Sequence, residues 1–283
     1  MELSDTDTQE LLTNLVIPPR PAVLDDLDRL RRDPECDLAR LADVVSSDLA
    51  LAAATLKASN SPLIGQGRTL TSIPQALAML GLKNFLNLVN GLVVRTTLSS
   101  PTPPFVETYW DFSMMVSLVS QLLGDRLGNC PEATTSYALF HGCGIPVLLM
   151  RDPNYAQTLL KLLQSRDDEV VALEEARHRT HHAVIGYLVA RAWNMPKEFA
   201  NAILDQHELA PMLASGRSRH SHDTLTMMAI CRAASHTVRT LTGVSSDPAW
   251  PDLAPVIVPF LGMTDSEFED WVDYTQQRIN GVR

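Results

Sequence analysis

The stretch SIPQALAMLGL at Ser72–Leu82 carries the local signals that decide the fold class. Ser72 can cap a helix, a proline follows within the first turn, and Gln75 stands three residues after the serine, which is a capping-box arrangement. The run Ala76–Leu80 consists of helix-forming residues, and Gly81 breaks it. A second helix is predicted directly afterwards, over 82–97. The stretch therefore predicts two consecutive helices and no strand.

Outward from this stretch, nearly every periodic segment of the chain is typical of helix. Apolar residues recur at helical spacing from Val23 to Leu30 and again after Asp37, and the Ala- and Leu-rich run 49–58 follows. Further helices are predicted at about 106–127, 132–140, 153–164, 168–179, 182–194, 197–206, 223–242 and 265–280. The polar segment 208–222 is predicted to be a surface loop. Because no alternating strand pattern is present, the predicted fold class is all-α.

The prolines at 101–104 predict a linker, since they cannot continue a helix. Two helical lobes are expected on either side of it, the first of them an N-terminal helix bundle. The predicted divisions are an N-terminal tail at 1–16, the first lobe at 17–104, the second lobe at 105–242 and a C-terminal helical extension at 243–283.

The composition is that of a folded globular protein: of 283 residues, 45% are hydrophobic and 20% are charged. The formal net charge of −10 argues against a nucleic-acid partner, whose phosphates require clustered Lys and Arg. No uninterrupted apolar run reaches the ~18–20 residues of a membrane span, and the N-terminus lacks the basic cluster of a signal peptide. The four cysteines are scattered, with no C-x-x-C spacing, which predicts reduced thiols. A cytoplasmic protein is expected.

Several histidines are candidate metal ligands. His178 and His182 have the i, i+4 spacing that places two imidazoles on one helix face, with His181 between them and His207 farther along. A zinc-protease motif would need Glu where Arg179 stands, so that class is excluded. A three-histidine metal site is chemically possible, and hydrogen-bonded packing or surface histidines are the more ordinary alternative. His220 and His222 lie in the predicted polar loop and are expected to be solvated.

The hexapeptide FHGCGI at Phe140–Ile145 offers two interpretations. Cys143 could be a thiol nucleophile beside His141, but residues two apart on a helix point in different directions, which favours a buried structural thiol. The other interpretation compares His141-Gly142 with the His-Asp pair of metal-dependent phosphohydrolases. A glycine has no carboxylate that could bridge two metal ions.

Several longer motifs resemble the HDOD family, the bacterial signalling relatives of the HD phosphohydrolases. IPPRPAVL at 17–24 is similar to the opening motif of the family, and Asp48–Leu51 resembles its "D-P-x-L" element. The resemblance is strongest in ASNSPLIGQGR at 58–68, with LTSI and QALAMLGL following it. It continues in the same order through Trp110, Phe140-His141, His182 with Gly186, the WNMP at 193–196, and His207. About residues 17–240 are covered.

The resemblance implies which positions would hold metal in an active HD enzyme. Aligned to that pattern, His141, His182 and His207 match expected ligands. The remaining positions are degenerate: Phe112 stands at the first histidine, Gly142 at the paired aspartate, Ser235 at the last aspartate, and Ile145 where a Lys or Arg often follows. The second lobe is therefore expected to be a degenerate HD-like lobe.

Two-metal hydrolysis needs anionic ligands that offset the repulsion between the ions. With both carboxylates absent, the sequence predicts a protein with no catalytic residues, no bound cofactor and no metal. The predicted function is signal regulation through another signalling protein, with a homodimer possible. The alternatives are a residual phosphohydrolase with one divalent ion on His141, His182 and His207, and a nucleotide sensor that uses the vestigial cleft.

Overall fold

A computed structural model describes residues 17–33, 37–60, 64, 69–99, 104–243 and 247–280. Throughout these residues the regular structure is helical, which confirms the all-α fold class. The helices are α1 (Ala22–Arg32), α2 (Leu38–Ser47), α3 (Leu49–Ser59), α4 (Ile73–Leu98), α5 (Pro104–Leu127), α6 (Thr134–Phe140), α7 (Gly144–Arg151), α8 (Tyr155–Leu162), α9 (Asp167–His178), α10 (His182–Ala192), α11 (Lys197–Leu204), a 3₁₀ turn (Gln206–Glu208), α12 (Leu209–Ser215), α13 (His222–Thr242), α14 (Trp250–Phe260) and α15 (Asp265–Asn280). The predicted tail at 1–16, most of the 58–68 motif and the prolines at 101–103 lie outside the described residues.

The described residues divide into two compact units. The smaller unit contains residues 20–99 and 269–280, and the larger unit contains residues 17–19 and 104–268. In the smaller unit, α1, α2 and α3 pack against α4 and bury residues such as Leu27, Leu41 and Phe85. The four predicted divisions of the chain remain a prediction.

Helix α4 contains the two helices that the sequence predicts on either side of Gly81. Gly81 has φ 73° and ψ 161°, a backbone conformation that would be strained for any residue with a side chain. This conformation kinks the helix at residue 81. By length and composition alone α4 could cross a membrane, yet 50% of its most apolar 18-residue window is buried. Its contacts with α1, α2 and α3 are those of a core helix.

The larger unit is built around α5, which packs against α6 and α13. Helix α10 lies against α7 and α11, and Gly144 makes this approach possible because a Cβ there would collide with the carbonyl oxygen of His182. Trp110 and Trp193 are fully buried in this unit. The Trp193 indole also donates a 2.8 Å hydrogen bond to the carbonyl oxygen of Pro18, which joins the IPPRP motif to the WNMP motif.

Three helical segments differ from the predictions. Segment 208–222 is not a loop, because α12 occupies Leu209–Ser215; Pro211 lies in its first turn, where a missing N–H costs nothing. Helix α14 was not predicted because it contains three prolines, but Leu253, Ile257 and Val258 give it a buried face. Helix α7 is not predicted from the sequence because Gly142 precedes it and Gly144 is its first residue, and glycine disfavours helix.

Candidate functional site

The centre of the site is His182, the first residue of α10, which is 5% exposed. Its Nδ1 lies 2.7 Å from Oε2 of Glu174, and its backbone N–H donates to Oε1 of the same carboxylate at 3.2 Å. Glu174 is completely buried in α9 and also accepts a hydrogen bond from the Tyr155 hydroxyl. Burial raises the pKa of Glu174, but the attraction of His182 and three hydrogen bonds outweigh it and hold the pKa at about 2. The carboxylate is thus ionised and fixes the His182 ring.

His207 faces His182 with the same kind of support. Its Nδ1 lies 3.0 Å from a carboxylate oxygen of Asp167, at the start of α9. The two Nε2 atoms, of His182 and His207, are 3.2 Å apart, with the rings nearly perpendicular. Because an ionised carboxylate only accepts, each Nδ1–H donates to its carboxylate, which leaves the two Nε2 atoms facing each other. The space between them therefore suits one cation, either a proton shared by the two rings or a metal ion.

The spacing of the pair matches two ligands of one metal ion. Two imidazole nitrogens on a tetrahedral zinc ion lie about 3.3 Å apart, given Zn–N distances of about 2.0–2.1 Å. Carboxylates behind the ligating histidines are the usual second shell of such sites. However, across the described residues no three His, Cys, Asp or Glu side chains are placed to hold an ion together.

His141 lies in the same region but is engaged elsewhere. Its Nδ1 donates to the carbonyl oxygen of Ala138 at 2.9 Å, and the Cys231 sulfur is 3.6 Å from the same nitrogen. Burial, together with the nearby His182, His207 and Arg232, outweighs the hydrogen bond to Ala138 and lowers the pKa of His141 to about 4. The structure therefore brings His182 and His207 into contact and keeps His141 beside them as a neutral imidazole.

Gly142 is packed against a tyrosine. A Cβ built at this position would collide with the hydroxyl of Tyr109, which projects from α5. Burial raises the pKa of Tyr109 above its usual range, so the hydroxyl remains neutral. The space for a side chain at residue 142 is already filled.

The other three degenerate positions lie in α5, α13 and α7. Phe112 is half-buried in α5, and the guanidinium carbon of Arg239 lies 6.0 Å from the centre of its ring. Ser235 is 8% exposed in α13, one turn before Arg239. Ile145 lies half-buried in the first turn of α7.

The histidine spacing at 178 and 182 misled the sequence interpretation. Arg179 takes a left-handed conformation, with φ 55°, and ends α9, so His178 and His182 belong to different helices. Both ring nitrogens of His178 are hydrogen-bonded, Nδ1 to Asp152 at 2.7 Å and Nε2 to Thr158 at 2.8 Å, so this side chain is not placed as a metal ligand. His220, expected to be solvated, is 8% exposed and lies 2.8 Å from Asp205.

Cys143 is a structural thiol, as predicted. It is fully buried, and burial raises the pKa of its thiol to about 12. The carboxylates of Glu174 and Asp167, by contrast, were not found from the sequence. They precede their histidines at spacings that match no motif, and only the packing of α9 against the 3₁₀ turn brings Asp167 to His207.

The side chains present do not fit a two-metal centre. Neither carboxylate expected from the HD pattern exists, and Glu174 and Asp167 are each committed to an Nδ1 atom. Charge compensation for two divalent ions is therefore missing. One ion on His182 and His207 has two protein ligands at suitable spacing.

Comparisons with solved structures give the same fold. An HDOD domain protein of unknown function from Geobacter sulfurreducens superposes with a TM-score of 0.69 at 20% identity, covering 98% of this chain and 97% of the other. A proposed phosphohydrolase from Shewanella amazonensis SB2B gives 0.64 at 19% identity, with 96% and 95% covered. A proposed signal transduction protein from Marinobacter aquaeolei VT8 gives 0.65 at 21% identity, covering all of this chain (100%) and 60% of the other.

Sequence comparison provides the assignment. An uncharacterized protein of Treponema pallidum (strain Nichols) is 26% identical over 195 residues, which are 68% of this chain but only 38% of that relative. The family model of the HDOD domain matches residues 17–209, well over half of the chain. The motifs at 17–24 and 193–196, joined by the Trp193–Pro18 hydrogen bond, both lie within the match. The chain therefore belongs to the HDOD family.

Proposed function

We propose that this chain is a non-catalytic signal-transduction protein that acts by binding another signalling protein. The observation that carries the proposal is the position of Tyr109, whose hydroxyl fills the space that a side chain at residue 142 would need. An HD hydrolase would place its bridging carboxylate there. In this chain the carboxylate is absent, and there is no room for one.

The remaining degenerate positions support the same proposal. Phe112 and Ile145 offer no ligand and no charge, and Ser235 offers a neutral hydroxyl. Phosphodiester hydrolysis with two metal ions depends on anionic ligands and on a cation that binds the substrate phosphate. Neither requirement is met by these side chains.

A protein partner fits the surface better than a nucleic acid does. The formal net charge is −10, which opposes binding to the polyanionic backbone of a nucleic acid. Two leucines protrude, one from each unit: Leu49 is 85% exposed at the start of α3, and Leu160 is 65% exposed in α8. Each of these side chains would gain free energy by burial against a second protein, or against another copy of this chain. We propose a cytoplasmic location, with no membrane or nucleic-acid partner.

The enzymatic part is tested with the purified chain, supplied in turn with Mg²⁺, Mn²⁺ and Zn²⁺ and with bis(p-nitrophenyl) phosphate as the probe. We expect no release of nitrophenol above the rate of the metal alone. The doubly substituted His182→Ala, His207→Ala chain is the control and should behave identically. Turnover by the unaltered chain that this control lacks would contradict the proposal.

The interaction part is tested in cells that carry the chain. We expect Leu49→Asp or Leu160→Asp to abolish its signalling effect while thermal unfolding of the purified variant is unchanged. The His182→Ala, His207→Ala chain should retain the effect. The opposite pattern would move the activity to the histidine site.

A second candidate function is a residual hydrolase with a single divalent ion. The observation that favours it is the 3.2 Å separation of the His182 and His207 Nε2 atoms, each ring backed by a carboxylate. A bound ion would supply Lewis-acid activation of a water or phosphate oxygen. Metal analysis of protein purified without a histidine tag tests it: near-stoichiometric zinc, manganese or iron that His182→Ala removes would support this candidate.

A further inference from the structure

Arg239 is a cationic side chain near the end of α13. It lies half-buried in the last turn of α13, and within the described part of the chain its guanidinium forms no ion pair or hydrogen bond. Its Nε–H is buried and unsatisfied. A buried donor on a charged group is costly to leave unpaired, so this position calls for a physical explanation.

The nearby carboxylates do not supply the missing partner. Asp247 accepts two hydrogen bonds from Arg232, at 2.8 and 2.7 Å, and a third contact from His236 at 3.1 Å. Asp167 is bound to His207. Both carboxylates attract Arg239 at a distance, but each is already committed to other groups.

Two degenerate HD positions border this guanidinium. Phe112 lies beneath it, with the ring centre 6.0 Å from the guanidinium carbon, at the limit of a cation–π contact. Ser235 precedes it by four residues on α13, hence on the same face, and its hydroxyl forms no hydrogen bond with any described residue. Where an HD enzyme would place a histidine and an aspartate for cations, this chain places an aromatic ring, a hydroxyl and a free guanidinium.

We propose that Arg239 and Ser235 form a binding site for a small oxyanion, a phosphate or carboxylate group of a metabolite, on the face of α13 that borders Phe112. The terminal N–H groups of the guanidinium, which unlike Nε are not sealed from solvent, and the Ser235 hydroxyl would donate to the oxyanion, and the Phe112 ring would hold the guanidinium plane. Positions that bind cations in an HD enzyme would thus border an anion-binding site in this chain. This inference goes beyond the proposed function because it gives the regulator a small-molecule input.

The test follows arginine side-chain Nε–H signals by NMR while inorganic phosphate, or separately acetate, is added to the full chain at constant ionic strength. The Nε–H signal that disappears from the spectrum of Arg239→Gln is assigned to Arg239. We expect a saturable shift of the Arg239 signal, and no saturable shift of any remaining arginine signal in Arg239→Gln. Saturation by phosphate alone would identify a phosphate group as the ligand, and saturation by acetate alone a carboxylate.

Two further variants keep the inference falsifiable if Arg239→Gln fails to fold. Ser235→Ala should weaken binding by about fivefold, the loss of one hydrogen bond, without altering the fold. Arg217→Gln removes an exposed arginine elsewhere in the larger unit and should bind as the unaltered chain does. Non-saturable shifts of all arginine signals alike would mean an adventitious ion only. Equal affinities in Ser235→Ala and the unaltered chain would also overturn the proposal.

The inference and the proposed function fail in different ways. Metal-dependent hydrolysis would overturn the non-catalytic function without changing phosphate affinity. Loss of the NMR response would overturn the oxyanion site while the chain remained a protein-binding regulator.

Discussion

Gly142 and Tyr109 depend on each other for space. The tyrosine hydroxyl occupies the volume next to the glycine α-carbon, and the ring carbon that carries it would be only 3.2 Å from a Cβ at 142. Removing the hydroxyl leaves a contact that is tight but tolerable. The pair can therefore be separated by a double-mutant cycle.

We expect Gly142→Ala to destabilise the unaltered chain by about 1–3 kcal/mol, the usual cost of overpacking. In a Tyr109→Phe background the same substitution should cost less than half as much, because the colliding atom is gone. Urea unfolding of the four chains measures both values. Equal costs in the two backgrounds would mean that the hydroxyl is not what excludes a side chain at 142.

His141 makes stability depend on pH. Its pKa is about 6.5 in an unfolded chain, and burial, with neighbouring positive charges, lowers it to about 4 in the fold. The native state therefore binds fewer protons, so this contribution to stability is present above pH 6.5 and is lost as the pH falls toward 4. We expect His141→Gln to flatten the decline between these two values in urea unfolding. An unchanged slope would show that His141 is not responsible.

At the scale of single residues, the resemblance assigns Gly142 and Ser235 to HD positions, but it does not predict which side chains pack against them. Gly142 and Ser235 could be read from the alignment of motifs. Tyr109 and Arg239 could not, since each acts on a residue far away in sequence through helix packing. The roles of Glu174 and Asp167 could not be predicted for the same reason, because helix packing brings them to their histidines.

At the scale of helices, local capping signals were the reliable predictors. Ser72 accepts from the backbone N–H of Gln75, as predicted, and Thr264 with Glu267 forms a capping box at the start of α15. Helix α14 was missed because proline content outweighs apolar spacing in a local interpretation. Its buried face is defined by tertiary contacts, among them those with α12 and α13.

Glu174 joins three helices, because it lies on α9 and is bonded to Tyr155 of α8 and His182 of α10. Glu174→Gln should destabilise the chain by at least about 2 kcal/mol at pH 7, because a buried charged hydrogen-bond network is broken. The pKa of about 2 means that this contribution is present above pH 4.5 and lost as the pH falls toward 2.

Chemical unfolding at several pH values measures this contribution. The neighbouring Glu175→Gln is the matched control, since Glu175 is exposed and should change stability little. If the two variants lost equal stability, the network would not be what holds α8, α9 and α10 together.

At the scale of the whole molecule, two carboxylates of α9 hold the histidine pair. His182 and His207 are fixed by ionised carboxylates, and the core around them is formed by apolar residues such as Ile185, Val189 and Ile203. If the chain is a regulator that needs no metal, chelation should leave its melting temperature unchanged. An ion present at a hundred times its Kd would instead add about 2.7 kcal/mol of stability and raise the melting temperature by about 5–11 °C.

We therefore expect thermal unfolding to coincide before and after dialysis against a chelator, for the unaltered chain and for His182→Ala, His207→Ala alike. A fall of several degrees in the unaltered chain alone would contradict this expectation and favour the single-metal candidate. A fall in both chains would point to an ion elsewhere in the molecule. Because each outcome assigns the ion to a different place, this measurement separates a regulator from a residual enzyme before any substrate is known.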